Sequence, residues 1–183
     1  MVGDDELYER YRDGDAAAYD ELMIRHGDGL VLFLYGYLRS REDAEDLMIE
    51  AFARLMVKKP DIHKDGFKAY LYKTARNLAA RMHRRRSRNE VDLFEDMDDL
   101  TDGVLPEDTV YDEDKQRILH ICLGRIEPEL REVLQLVYFE GMSYAETATV
   151  LGVNAKRVDH LLTRAKEYMR RELQKEGITD AHD

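Results

Sequence analysis

The chain of 183 residues contains a single cysteine, no tryptophan and three prolines. One thiol, Cys122, cannot form an intramolecular disulfide or supply a thiolate-rich zinc or iron–sulfur cage, and it suits a reducing compartment. Long apolar runs are also missing. The segment from Leu30 to Leu38 is interrupted by Gly36 and falls far short of the roughly 20 residues needed to cross a bilayer, so no membrane insertion is expected. The opening Met1-Val2-Gly3-Asp4-Asp5-Glu6 has neither the basic start nor the apolar stretch of a secretion signal, and a cytoplasmic protein is expected. Histidines are present but scattered, at positions 26, 63, 83, 120, 160 and 182. With no zinc spacing and no phosphate-cradling glycine loop, neither a metal, a cofactor nor a catalytic site is expected.

What the chain has in abundance is charge. Lys and Arg total 28 against 39 Asp and Glu, for a net charge of -11, while 44% of residues are apolar, enough to build a core. The two signs are segregated. Phe67 to Arg88 carries eight cations and no acid, and Asn89 to Asp114 carries twelve acids and no base, so without that acidic stretch the chain would have a charge of +1. A cationic block of this density repels itself unless a polyanion or an acidic surface lies against it, and nucleic acid is the natural partner. The acidic stretch, with Gly103 and Pro106, has the composition of a solvated tether. It divides the chain into domains at 1–88 and 115–183, and its charge also suits masking of the basic surface.

Elsewhere the apolar spacing is helical, with no sustained alternation and no hairpin signal, so an all-α fold of two small helical domains is expected. Leu7, Tyr8 and Tyr11 mark a short helix; Tyr19, Leu22, Met23, His26, Leu30, Phe33, Leu34 and Tyr37 mark a second. Ser40 can cap a third, with Asp43 in the capping-box position and Ala44, Leu47, Ala51, Phe52 and Leu55 on one face. A fourth begins near Gly66, puts Phe67, Tyr70, Leu71, Thr74, Ala75 and Leu78 inward and runs on into the arginines. After the tether, Ile118 to Ile126 forms one helix, and Pro128 opens another that continues through Val137 to a stop at Gly141. Ser143 and Glu146 then form a capping box, Gly152 supplies a left-handed turn, and Asn154 caps a last helix with Val158, Leu161 and Leu162 inward. This is the pattern of a helix-turn-helix. Its last helix presents Lys156, Arg157, His160, Thr163, Arg164 and Lys166, side-chain types that reach phosphates and base edges.

Several of these words, in order, resemble the extracytoplasmic-function (ECF) group of the sigma-70 family of bacterial RNA polymerase sigma factors. Asp43-Ala44-Glu45-Asp46-Leu47, Glu50-Ala51-Phe52 and Phe67-Lys68-Ala69-Tyr70-Leu71-Tyr72-Lys73-Thr74-Ala75-Arg76-Asn77 are similar to its region 2. Pro128-Glu129-Leu130-Arg131-Glu132-Val133-Leu134, Gly141-Met142-Ser143-Tyr144-Ala145-Glu146, Leu151-Gly152-Val153 and Arg164-Ala165-Lys166 are similar to region 4.

The resemblance implies a protein that binds core RNA polymerase, directs it to promoter DNA and helps open the duplex, with an anti-sigma factor as a further partner. By resemblance, Asp43, Glu45, Asp46 and Glu50 meet the polymerase clamp helices. Phe67, Tyr70 and Tyr72 with Lys73, Arg76 and Asn77 belong to the strand-separating segment, and Arg81, Arg84 and Arg85 extend the cationic track toward the minus-ten element. Phe67 and Tyr70 also lie on the apolar stripe and read as core. Lys156, Arg157, Asp159, His160, Thr163, Arg164 and Lys166 serve the minus-35 element. Asp159, His160 and Leu161, together with Ile49, Tyr70 and Arg81, depart from the family's common residues and imply altered promoter choice. Two other readings are a stand-alone helix-turn-helix regulator, which leaves the first domain unexplained, and a metal-dependent nuclease using Asp46 and Glu50.

Overall fold

A computed structural model describes residues 2–89 and 113–178. Most of the acidic stretch lies outside these residues, and with it the expectations of a tether and of masking by it. Eight α-helices occur among the described residues: α1 (Asp4–Arg12), α2 (Ala16–Leu38), α3 (Arg41–Lys58), α4 (Phe67–Asn89), α5 (Glu113–Arg125), α6 (Pro128–Leu134), α7 (Tyr144–Leu151) and α8 (Ala155–Lys175). A π-helical turn, Gln135–Phe139, follows α6.

Helices α1 to α4 bundle around Leu7, Leu22, Leu30, Phe33, Leu34, Phe52, Phe67 and Leu71, each at most 1% exposed. The starts of α2, α3 and α4 are fixed by side chains that satisfy the unpaired amides of a first turn. The Asp15 carboxylate caps α2 by accepting from the amides of Ala17 and Ala18, and Ser40 caps α3 by accepting from Asp43. Only half of a capping box forms at Ser40, because the Asp43 carboxylate instead accepts from Arg86 at 2.8 Å. The cap of α4 is non-local: Asp5 on α1 accepts from the amide of Phe67 at 3.1 Å and from that of Asp65. Beside it, Asp4 lies 2.8 Å from Nε2 of the buried His26, a hydrogen bond that holds the Asp4 carboxyl below the ordinary carboxylate range.

The second domain follows its capping signals closely. Ser143 and Glu146 form a reciprocal capping box, Gly152 ends α7 with φ +69°, and Asn154 caps α8 by accepting from the Arg157 amide at 2.8 Å. One expectation changes. The helix opened by Pro128 does not run unbroken to Val137, because a π turn takes over at Gln135. The wider turn takes Leu136 fully into the core and aims Gln135 at Phe33, Gly36 and Tyr37 of α2. Arg131 braces this segment, donating to the carbonyls of Leu123, Gly124 and Ile126 at 2.7 to 3.1 Å, which the end of α5 leaves without helical partners.

The two domains are docked. α4 packs against α7, and α6 against α2. Replacing Asp5 by Ala removes the cap of α4 from a distance of 62 residues in sequence, and an N-cap loss typically costs about 1 kcal/mol. A lower midpoint in urea unfolding of Asp5→Ala, with Asp61→Ala as an exposed control, checks this.

Candidate nucleic-acid interface

Helix α4 is amphipathic in an unusual way, since its polar side is almost purely cationic. The structure leaves Lys73, Asn77, Arg81, Arg84 and Arg85 exposed. Arg76 is not among them. Its Nε donates to the Tyr37 hydroxyl at 2.9 Å and to Glu132 of α6 at 3.2 Å, and burial pulls its guanidinium below the ordinary value. Nearby, Lys68 pairs with the Glu140 carboxylate at 3.2 Å and donates to the Glu140 carbonyl. Both acids belong to the second domain.

The aromatic residues of α4 divide in a way that corrects the sequence reading. Phe67 is core, as its stripe position implies. Tyr72, expected beside the strand-separating residues, is 0% exposed, with its ring 5.3 Å from that of Phe33; it cannot stack on a base. Periodicity missed this because α4 is covered on two sides, by its own bundle and by the second domain. Tyr70, read as inward, is half-buried. It lines a cavity of about 160 Å³ between α3 and α4 with Asn77, Thr74, Arg81, Arg54 and Lys58. Arg54 and Lys58 were not singled out by the sequence; the signal available was their position one and two turns past Glu50 on a helix otherwise rich in acids.

On α3, Glu45 and Asp46 are exposed, whereas Asp43 and Glu50 are partly covered. Glu45 pairs with Arg41 at 2.8 Å and Glu50 with Arg54 at 2.6 Å. Between them Ile49 is 55% exposed, and Met56 and Val57 extend the same outer side. An apolar strip flanked by acids is the pattern of a protein-docking face, and the strip itself was not anticipated.

On α8, Lys156, Arg157, Asp159, His160, Thr163, Arg164 and Lys166 are all exposed, and the inward Val158, Leu161 and Leu162 fix that presentation. Arg157 pairs with Glu129 at 3.2 Å and Arg164 with Glu127 at 3.4 Å, both at the start of α6. The Thr163 hydroxyl donates to the Asp159 carbonyl at 3.0 Å, and the Lys166 ammonium lies 5.5 Å from the Tyr138 ring centroid. Among the described residues no group of three His, Cys, Asp or Glu side chains could hold a metal ion, and no helix is long and apolar enough to cross a membrane.

Residues 22–89 match the sigma-70 region 2 family and residues 116–169 match sigma-70 region 4. The ECF RNA polymerase sigma factor SigE of Mycolicibacterium smegmatis is 32% identical over 173 residues, which cover 92% of this chain and 67% of that protein. The ECF sigma factor BldN of Streptomyces coelicolor is also 32% identical, over 87% of this chain and 62% of its own length. The chain belongs to the ECF group of the sigma-70 family. This sigma factor therefore spans about two thirds of the length of those two relatives. Its fold is like that of CnrH in complex with the cytosolic domain of CnrY, with a TM-score of 0.65, 23% identity and coverage of 92% of this chain and 96% of that one. The sigma factor RpoE from Bartonella quintana, in complex with the anti-sigma factor NepR, gives a TM-score of 0.67 at 18% identity, covering 85% and 96% of the two chains. Sigma factors as a family are not catalytic enzymes, and the expectation of an alternative sigma factor acting in transcription initiation is borne out.

Glu132 gives this sigma factor a pH signature. Burial between the domains pushes its carboxyl up to about 8 from the ordinary 4.5. The folded chain holds this proton more tightly than the unfolded chain does. The associated stability is therefore complete below the ordinary carboxylate range and is lost as pH rises to about 8. The melting temperature of Glu132→Gln is expected to fall less than that of wild type between about pH 5 and about pH 9, as read by circular dichroism.

Proposed function

We propose that this sigma factor divides its work among three surfaces. The outer side of α3, with Asp43, Glu45, Asp46, Ile49 and Glu50, docks on core RNA polymerase. The outer edge of α4 holds the separated promoter strand near the minus-ten element through Lys73, Arg76, Asn77, Arg81, Arg84 and Arg85. The α8 face enters the major groove at the minus-35 element, with Lys156, Arg157, Asp159, His160, Thr163, Arg164 and Lys166 toward DNA.

The observation that carries this reading is the cavity between α3 and α4. An unpaired base must be held by a ring face, by groups that match its edge and by cations on its backbone. Tyr70 offers the ring, the Asn77 amide offers one acceptor and two donors, and Arg54, Lys58 and Arg81 supply the charge. A stand-alone regulator would need neither this cavity nor the acid-flanked apolar strip on α3. The chain makes and breaks no bonds itself; the polymerase does the chemistry. It acts in the cytoplasm, where an anti-sigma factor would hold it inactive by covering the polymerase-docking surfaces.

Run-off transcription with core polymerase tests the assignment. Asp46→Ala is expected to weaken retention on core polymerase, measured by co-elution, whereas Asn77→Ala should leave retention intact and reduce transcription from duplex promoters more than from premelted ones. Failure of the wild-type chain to co-elute with core would sink the reading.

For α8, Arg164→Ala is expected to relax selection at one minus-35 position by about 1 to 3 kcal/mol, the range for a bidentate contact to guanine. Lys166→Ala should weaken all sequences alike. Competition binding across single-base promoter variants separates the two.

A further inference from the structure

Among the described residues three that are not glycine have a positive φ, and two of them, Lys59 (φ 40°) and Asp65 (φ 60°), sit in the loop 59–66 that joins α3 to α4. A left-handed backbone crowds Cβ against a carbonyl oxygen. The short polar side chain of aspartate eases this, whereas a lysine ends a helix in that conformation far less readily than a glycine does. Such positions persist only where their surroundings hold them, and they gather at functional sites.

What holds these two is α1. The Lys59 ammonium lies 4.7 Å from the Tyr11 ring centroid and donates to the Arg12 carbonyl at 3.5 Å. The Asp65 amide donates to the Asp5 carboxylate. Between those points the Tyr8 hydroxyl donates to the Pro60 carbonyl at 2.8 Å, and Arg12 pairs with Asp61 at 3.2 Å. Just ahead of the loop, the Tyr11 hydroxyl donates to the Met56 carbonyl at 3.2 Å. Asp5, Tyr8 and Arg12 follow i, i+3, i+7 spacing, so the loop is gripped along one side of α1.

The loop in turn joins the walls of the cavity between α3 and α4. It leaves α3 after Lys58, which lines one wall, and enters α4 at Phe67, three residues before Tyr70, which lines the other. A pocket for an unpaired base works best with its walls already in place, because none of the binding free energy is then lost to ordering them.

We propose that α1 is a brace for promoter opening. By holding Lys59 and Asp65 in left-handed conformations it fixes the separation of the cavity walls, and Tyr11 is a positioning residue that governs strand separation without touching DNA. This rests on the assignment of that cavity to the separated promoter strand made above.

Holoenzyme reconstituted with core polymerase on a duplex promoter tests the proposal, with permanganate reactivity of unpaired thymines as the measure of opening. Lys59→Ala and Lys59→Gly both remove the ammonium, but alanine keeps the Cβ that makes a left-handed backbone costly and glycine does not. Lys59→Ala is expected to lower opening several-fold with retention on core polymerase unchanged, and Lys59→Gly to open the promoter nearly as well as wild type. Tyr11→Leu should lose opening as Lys59→Ala does, and adding Lys59→Gly should recover most of it, which a mere folding defect would not allow. Equal losses for Lys59→Ala and Lys59→Gly would mean that Lys59 acts through its charge and would overturn the brace. Wild-type opening by Lys59→Ala, or a Tyr11→Leu defect that Lys59→Gly leaves in place, would overturn it as well. Asn77→Ala separates the two readings. If it loses opening while Lys59→Ala does not, the cavity stands without the brace; if it opens the promoter normally, the role of the cavity falls and the brace falls with it.

Discussion

Helix α4 must bury one side in a bundle while carrying eight cations and no acid from Phe67 to Arg88. A helix of that composition cannot neutralise itself, because i, i+4 partners of opposite sign do not exist along it. Every acid near it is therefore brought from elsewhere in the fold. Asp5 of α1 meets its first turn, Asp43 of α3 reaches Arg86, and Glu132 and Glu140 of the second domain take Arg76 and Lys68. The bundle, the domain contact and the nucleic-acid edge all answer to this one imbalance.

The electrostatics sort into two kinds. Pairs on α8 and α3 are half exposed and strongly screened, so they hold cations loosely in place and give them up readily to a ligand. The contacts between domains involve carboxyl groups stripped of most of their water, and at neutral pH Glu132, pushed up to about 8, is mostly protonated and accepts from Arg76 as a neutral acid. Burial raises Glu132 and pulls Arg131 down to about 10, both signs of a desolvated seam. Such a seam adds little net stability, since desolvation offsets most of the attraction, but it fixes one register of the two domains against each other.

Much of the fold was legible because the signals are local. Capping residues act within three positions and helical stripes repeat every three or four, so Asp15 excepted, the caps at Ser40, Ser143 and Asn154 and the turn at Gly152 could be read directly. The presentation of α8 followed as well, since burying Val158, Leu161 and Leu162 leaves the remaining faces outward. The π turn after Leu134 could not be read, because its extra residue is favoured by where Leu136 and Gln135 end up rather than by any local preference.

The amino-acid sequence by itself determined the helices, their inward faces, the helix-turn-helix and the separation of a cationic block from an acidic one. It did so because helix periodicity and capping are short-range physics. Only the tertiary structure decided that Tyr72 is core, that Tyr70 and Asn77 share a cavity with Arg54 and Lys58, and that Arg76 faces a glutamate from 56 residues away. Those outcomes depend on how one surface meets another, and the free energy of that meeting belongs to buried area and paired charge between distant segments, which no window along the chain contains.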